Sequence, residues 1–463
     1  MEKTPPPELK RALGPWAAAS IVVGTVIGSG IFLVPQTMIG NVGTARMVAA
    51  VWIAGGLLSL AGALSYAELA AAIPEAGGEY AYLREAYGPL WGFLYSWTQM
   101  WVAKSGSIAA LATGFFVYLT NFFPGLNAVF YTLPPPLGPH GGPLEFRLGQ
   151  LFAIALLALL GFLNYCGVKI GGDIQVAVTA LKIALIGFIV FAGLFLGRPH
   201  AVTAGPAAAL SFSGFIAALV AALWAYDGWN NVGMAASEVR DPQRNLPRAL
   251  VWGTAGVIGI YLLANAAYFR VLTAPEVAAS PRVAAEMMRR IFGGPGAAAV
   301  SVAAMISIFA ALNGSILSGS RVPYAAARQG YFFSELGRVH PKFHTPGASI
   351  LALTAWASLL ALSGKYDDLF NLVIFASWIL YGMTAAAVLV LRKKRPELRR
   401  PYRTVGYPIV PAMFILGSIV LVVSTAWNRP RESMMGLVLI VLGLPFYFYW
   451  KKRLQRGSSI HPY

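Results

Sequence analysis

The sequence predicts an all-α membrane protein of twelve transmembrane helices. Three observations carry this reading. Of 463 residues, 57% are apolar or aromatic and only 11% are charged, and the mean hydropathy is +0.64; soluble domains carry about 25% charged residues. A soluble fold of this size has too little interior to hide so much apolar surface. The apolar residues also fall into twelve runs, roughly 14–39, 45–71, 88–120, 149–168, 172–196, 212–237, 247–272, 295–321, 347–364, 367–391, 406–426 and 434–450. A bilayer-crossing helix needs about 20 such residues. Finally, the excess of 35 Lys and Arg over 18 Asp and Glu, a net charge of +17, gathers between the runs. Nucleic-acid-binding proteins carry their basic excess on a soluble face, so here it reads as topology.

The runs are rich in Leu, Ala, Val, Ile and Phe without period-two alternation, which selects helices over barrel strands. The first run is too long for a cleavable signal peptide and holds Gly and Pro where an h-region would be uninterrupted. Segment 73–87 (IPEAGGEYAYLREAY) is too polar to span and is expected as a short amphipathic helix at the inner surface. Segment 121–148 is rich in Pro and Gly and is expected as an irregular outer loop. Segment 273–294 contains AAEMMRRIF, expected as an outer helix capping an entrance. With the N-terminus inside, 23 basic residues fall on inner segments, 10 on outer ones, and Lys104 and Lys182 within spans. The inner set runs from Lys3 to Arg456 and includes Arg392-Lys393-Lys394-Arg395. This bias places both termini in the cytoplasm.

The first run contains Gly24-Thr25-Val26-Ile27-Gly28-Ser29-Gly30-Ile31-Phe32. Glycine costs about 1 kcal/mol relative to Ala in a helix interior, so three in seven residues predict a break. Unpaired backbone groups survive at membrane depth only where they line a cavity or bind something. The N–H groups of Ser29, Gly30 and Ile31 would open a second half-helix, a natural seat for an anion such as a carboxylate. Alone, this motif fits close packing by small residues equally well. The sixth run supplies a second signal, Trp224-Ala225-Tyr226-Asp227-Gly228-Trp229-Asn230, with Asp, Gly and Asn together near mid-membrane. Two interrupted segments five spans apart predict an inverted-repeat transporter with its site at the repeat interface. The expected organisation is a tail at 1–12, one five-helix repeat at 13–196, a second at 212–391, two additional helices at 406–450 and a tail at 451–463.

Four motifs in order carry a resemblance over about residues 13–420: GTVIGSGIF at 24–32, LSYAELAAAIPEAGGEYAYLREAYG at 64–88, AYDGWNNVGMAASEVRDPQRNLPRAL at 225–250 and NGSILSGSRVPYAAARQGYFFSELGRVHPKFHTP at 313–346. The chain resembles the amino acid–polyamine–organocation superfamily, in its L-type branch with the bacterial neutral amino-acid and serine/threonine exchangers. The resemblance implies the LeuT-like five-plus-five fold and a bacterial inner (plasma) membrane setting. It implies that the substrate carboxylate sits on the amides of Ser29, Gly30 and Ile31. The α-ammonium would be held by the carbonyls of Ile27, Trp224, Ala225 and Asp227. Trp224 stands where the branch usually has a gating phenylalanine; its greater bulk implies a small pocket for alanine, serine or threonine. Asn230 matches a polar position lining the family pocket. The branch's disulfide-linked heavy chain is not expected, because segment 121–148 lacks Cys and the single Cys166 falls on the inner side.

Lys182 lies about ten residues into the fifth span, so its ammonium starts about 15 Å from the helix start. An ionisable group there costs about 2.5–3.5 kcal/mol on insertion scales and marks function by default. By resemblance it replaces the cation of sodium-coupled relatives, locking span one to span eight near Asn313, Ser315 and Ser318. Constitutive exchange and proton coupling through Lys182 both remain open. Lys104 in span three is read as a contact near the pathway or as one half of a structural ion pair. Three roles are open to Asp227: proton carrier, partner of a cationic substrate, or acceptor closing the broken helix.

Other classes lose support. His140, His200, His340, His344 and His461 are scattered without metal-ligand spacing, and one cysteine excludes a Cys-based cluster or disulfide framework. No convergent nucleophile, base or metal set points to an enzyme or a cofactor. No GxxxxGK[ST] motif points to ATP-driven pumping. An amino-acid sensor on the same fold is disfavoured by tails of only about 13 residues.

Overall fold

The computed structural model describes residues 8–135, 143–199, 211–362 and 366–458. Lys3, His140, His200 and His461 lie outside the described residues. The chain folds as helices α1 (Pro15–Val26), α2 (Gly30–Val42), α3 (Ala45–Ala72), α4 (Glu79–Tyr87), α5 (Pro89–Thr98) and α6 (Lys104–Leu119). A two-stranded antiparallel hairpin follows, β1 (Val129–Leu133) with β2 (Leu144–Arg147). Next come α7 (Leu148–Tyr165), α8 (Val168–Phe191), α9 (Phe212–Ala225), α10 (Asn231–Met234) and α11 (Pro242–Val271). The short α12 (Ala274–Ala279) and α13 (Val283–Phe292) lead to α14 (Gly294–Gly319) and α15 (Arg321–Arg328). The chain continues through α16 (Gly347–Leu362), α17 (Tyr366–Lys394), α18 (Ile409–Asn428), α19 (Pro430–Val441) and α20 (Gly443–Ser458).

Among the described residues, ten helical segments are long and apolar enough to cross a membrane, and two shorter apolar helices, Phe212–Ala225 and Gly347–Leu362, stand where spans six and nine were expected. Each of the twelve apolar runs thus meets a helix. That count of ten treats Pro15–Val42 as one segment, but residues 27–29 are not helical. α1 packs against α8, α11 and α14, while α2 packs against α9. Both halves of the first span are therefore mostly buried among other helices.

Two expectations change. Segment 121–148 is not wholly irregular: Val129-Phe130-Tyr131-Thr132-Leu133 is a run of strand formers and pairs with 144–147. Segment 73–87 does form a helix, yet α4 is no surface helix. Glu79, Tyr80, Tyr82 and Leu83 are fully buried. Gly77 and Gly78 turn the chain inward at φ +92° and +52°, and a Cβ on Gly78 would lie 2.7 Å from the Gly233 carbonyl carbon. Only glycine allows this backbone-on-backbone approach. The last span divides into α19 and α20, and α20 runs on through residues 451–456. The sequence KKRLQR is made of helix formers, with nothing to stop it.

Leu13 N–H donates to Glu238 O at 2.9 Å and Arg240 N–H to Leu13 O at 2.8 Å, strapping the amino-terminal segment across the end of span six. Beside it, Arg321 and Glu238 form a bidentate pair at 2.6 and 3.0 Å with neither side chain exposed. Removing one partner of such a pair typically costs about 3–5 kcal/mol, because the other charge stays buried. Glu238→Gln is expected to lower the thermal unfolding midpoint of the purified protein clearly; an unchanged midpoint would show that Arg321 finds another partner.

Candidate functional site

The two helix breaks meet at the centre of the molecule. α1 stops at Val26, Ile27 leaves the helical region at φ −76°, ψ 85°, and α2 restarts at Gly30. α9 stops at Ala225, and Gly228 at φ +104° turns the chain toward α10. Gly30 sits directly on Ala225: a Cβ there would lie 2.7 Å from the Ala225 Cβ and 2.8 Å from its Cα. Two side chains tie the breaks together. Tyr261 Oη donates to Ala225 O at 2.8 Å and reaches Val26 O at 3.0 Å. Thr25 Oγ1 reaches Gly228 O at 2.8 Å.

A cavity opens at this crossing. Thr25, Gly28, Ser29 and Gly30 line it from the first break, and Trp224, Ala225, Asp227, Gly228 and Asn231 from the second. Lys104, Ser107 and Leu111 line it from span three, and Ser315 from span eight. Among the described residues, no acceptor meets the backbone N–H of Ser29, Gly30 or Ile31, although Phe32 N–H already bonds Ser29 O at 3.1 Å. Nor does a donor meet the carbonyls of Thr25 and Asp227. Two of these donors, on Ser29 and Gly30 at a helix start, thus share one cavity with two free acceptors. Buried backbone groups are rarely left so, and donors at a helix N-terminus suit an anion.

Of the residues singled out in the sequence, Ser29, Gly30, Trp224, Ala225, Asp227 and Ser315 come together around the cavity, while Ile27, Ile31 and Asn230 do not line it. The Ile27 carbonyl, expected to hold a substrate ammonium, already accepts Lys182 Nζ at 2.5 Å and Ser307 Oγ at 2.8 Å. Ala225 O is taken by Tyr261, and Trp224 O by Asp227 N–H at 3.0 Å. Asn230 turns away from the cavity and donates to Glu79 Oε1; its neighbour Asn231 takes the lining position and accepts Lys104 Nζ at 2.6 Å. Asp227 Oδ1 accepts Tyr381 Oη at 3.0 Å.

Lys182 is fully buried and donates to Gly24 O at 2.8 Å, Ile27 O at 2.5 Å and Ser307 O at 3.0 Å. It therefore bridges α1 to α14, about two to three turns from the expected partners Asn313, Ser315 and Ser318. Asn313 instead bonds Gln175 Oε1 at 2.8 Å and Gly171 O at 3.0 Å, and Ser318 bonds Gly314 O at 2.7 Å within its own helix. Sequence reasoning missed Thr25, Ser307, Tyr261, Asn231, Tyr381 and Glu79. Tyr261 carried a signal, since a buried tyrosine hydroxyl needs a partner. Ser307 carried none. Glu79, in the non-spanning α4, is pushed by burial up to about 7, with its own backbone and Asn230 pulling the other way.

A polar cavity enclosed in a multi-pass helical bundle, where two interrupted helices leave their backbone groups free, defines a membrane transport protein. The chain belongs to the amino acid permease family, whose model matches residues 13–447. It is 34% identical over 448 residues to the serine/threonine exchanger SteT of Bacillus subtilis (strain 168), spanning 96% of this chain and 98% of that one. It is 32% identical over 467 residues to the human b(0,+)-type amino acid transporter 1, spanning 98% and 92%. The human cystine/glutamate transporter is 29% identical over 463 residues, spanning 96% and 87%. The protein is thus a multi-pass membrane transporter of amino acids and not an enzyme.

Proposed function

We propose that the protein is a sodium-independent exchanger of small neutral L-amino acids, working by alternating access in a bacterial plasma membrane. One observation carries the reading: the free N–H groups of Ser29 and Gly30 and the free carbonyls of Thr25 and Asp227 share one cavity, with the free N–H of Ile31 next along α2. An anion fits the first set and an ammonium the second, which is the charge pattern of a zwitterion. In this assignment Thr25 and Asp227 replace Ile27, Trp224 and Ala225 as ammonium acceptors. The ammonium of Lys182 between α1 and α14 supports sodium independence, since a fixed cation already bridges the two helices. Lys104 and Asp227 line the cavity with opposite charges, which supports a substrate whose side chain carries none. The name of the Bacillus relative points to serine and threonine. Twelve spans, arranged as five-helix repeats at 13–196 and 212–391 with two added helices, belong to this reading. So do cytoplasmic termini, supported by the 23-to-10 bias of basic residues, and function without a disulfide-linked heavy chain.

Counterflow of all twenty amino acids in proteoliposomes tests it. Serine, threonine or alanine inside is expected to drive uptake of labelled serine equally with and without sodium. Strict sodium dependence would remove the Lys182 argument. Uptake driven by a pH gradient without internal substrate would turn the exchanger into a proton symporter.

A further inference from the structure

Three ionisable side chains cluster where span three meets the second break: Lys104, Asp227 and Glu79. Lys104 and Asp227 both line the cavity. Glu79 is fully buried, and among the described residues no cation lies within ion-pair distance of it. Arg84, on the same helix, pairs with Glu75 and Glu85 instead, and the Lys104 ammonium is held by Asn231. Tyr66 from α3, Tyr82 from α4 and Tyr95 from α5 face Glu79, and Tyr381 from α17 stands between it and Asp227. The hydroxyls of Tyr66, Tyr82 and Tyr95, together with Glu79 Oε2 and Asn230 Oδ1, complete no hydrogen bond. Four unsatisfied polar atoms around one carboxyl, whose own Oε2 is also unsatisfied, are unusual in a native interior. An isolated carboxylate in such a place neutralises itself rather than staying charged.

We propose that Glu79 is a proton-binding site of a gate that α4 forms against the second break, protonated while α4 is packed there and deprotonated when the gate opens. The proton leaves the cluster of two carboxyls and one ammonium with no net charge. A protonated Oε2 also supplies the donor that the Asn230 side-chain oxygen lacks. Opening would expose Glu79 to water, where a carboxyl ordinarily titrates near about 4.3; in the closed gate it titrates at about 7. The sign follows from linkage. The closed gate holds the proton more tightly, so acid favours closure. As pH rises between those two values, opening becomes easier by up to about tenfold per unit, and it levels off once the closed form has also lost its proton.

Two measurements on the full chain in liposomes test this. The infrared spectrum at about pH 6, where ordinary carboxyls are ionised, should show a protonated-carboxyl band that Glu79→Gln removes. A band unchanged by the substitution overturns the proposal. Serine exchange should accelerate as pH rises from about 5 to about 7 in the native protein and stay flat in Glu79→Gln; equal slopes overturn it. Should the Gln variant not fold, Glu79→Asp must displace both the band and the midpoint, and leaving both in place is equally fatal. The exchange arm rests on the carrier reading above, whereas the infrared arm needs no transport, so the two failures are distinguishable.

Discussion

Gly30→Val is expected to abolish amino-acid uptake while the protein still inserts and can be purified. The bare Cβ already falls 2.7 Å from the Ala225 Cβ and 2.8 Å from its Cα, and valine adds two methyl groups. The neighbour is backbone on a tied segment and cannot swing aside as a long side chain would. The two breaks must separate, which pulls the Ser29, Gly30 and Ile31 donors away from the Thr25 and Asp227 acceptors. A displacement of about 1 Å at a binding constellation can cost on the order of 100-fold. Labelled serine uptake in proteoliposomes, normalised to reconstituted protein, checks this. Uptake at the native rate would mean that the donors at the first break do not hold the substrate.

Lys182→Ala is expected to reduce exchange at least about tenfold while changing the yield of folded protein far less. The ammonium makes three contacts to carbonyls, on Gly24, Ile27 and Ser307, and hydrogen bonds from a charged donor contribute about 1.5–3 kcal/mol each. A loss of only about 1.4 kcal/mol in the poise between conformations is already tenfold. The substitution also releases the Ile27 carbonyl beside the free donors, so substrate affinity and turnover should change together. Exchange at the native rate would take Lys182 out of the transport cycle and leave it a packing residue.

Both predictions stand on features that the sequence exposes directly. Three glycines in seven residues, or Asp, Gly and Asn together in an apolar run, are costly in a membrane helix, so they mark the breaks. A lysine ten residues into a span marks itself by the same logic. The bookkeeping of backbone carbonyls is not legible. Ile27 O is expected to be open and is occupied, because Lys182 and a single serine, Ser307, arrive from helices far away in the chain. The exchange of Asn230 for Asn231 has a local cause. Inside a helix, register predicts facing, but residues 226–230 have no helical register to extrapolate. The burial of α4 hangs on the match between Gly78 and Gly233, 155 positions apart in the numbering of the chain, which no local pattern encodes.

Tyr261 has a mechanical consequence. Its single hydroxyl touches Val26 O and Ala225 O, and Thr25 adds a second staple to Gly228. The half-helices on either side of the pocket are therefore riveted to each other. The walls nearest the cargo are tied into one cradle, and Lys182 with Ser307 fastens that cradle in turn to α14.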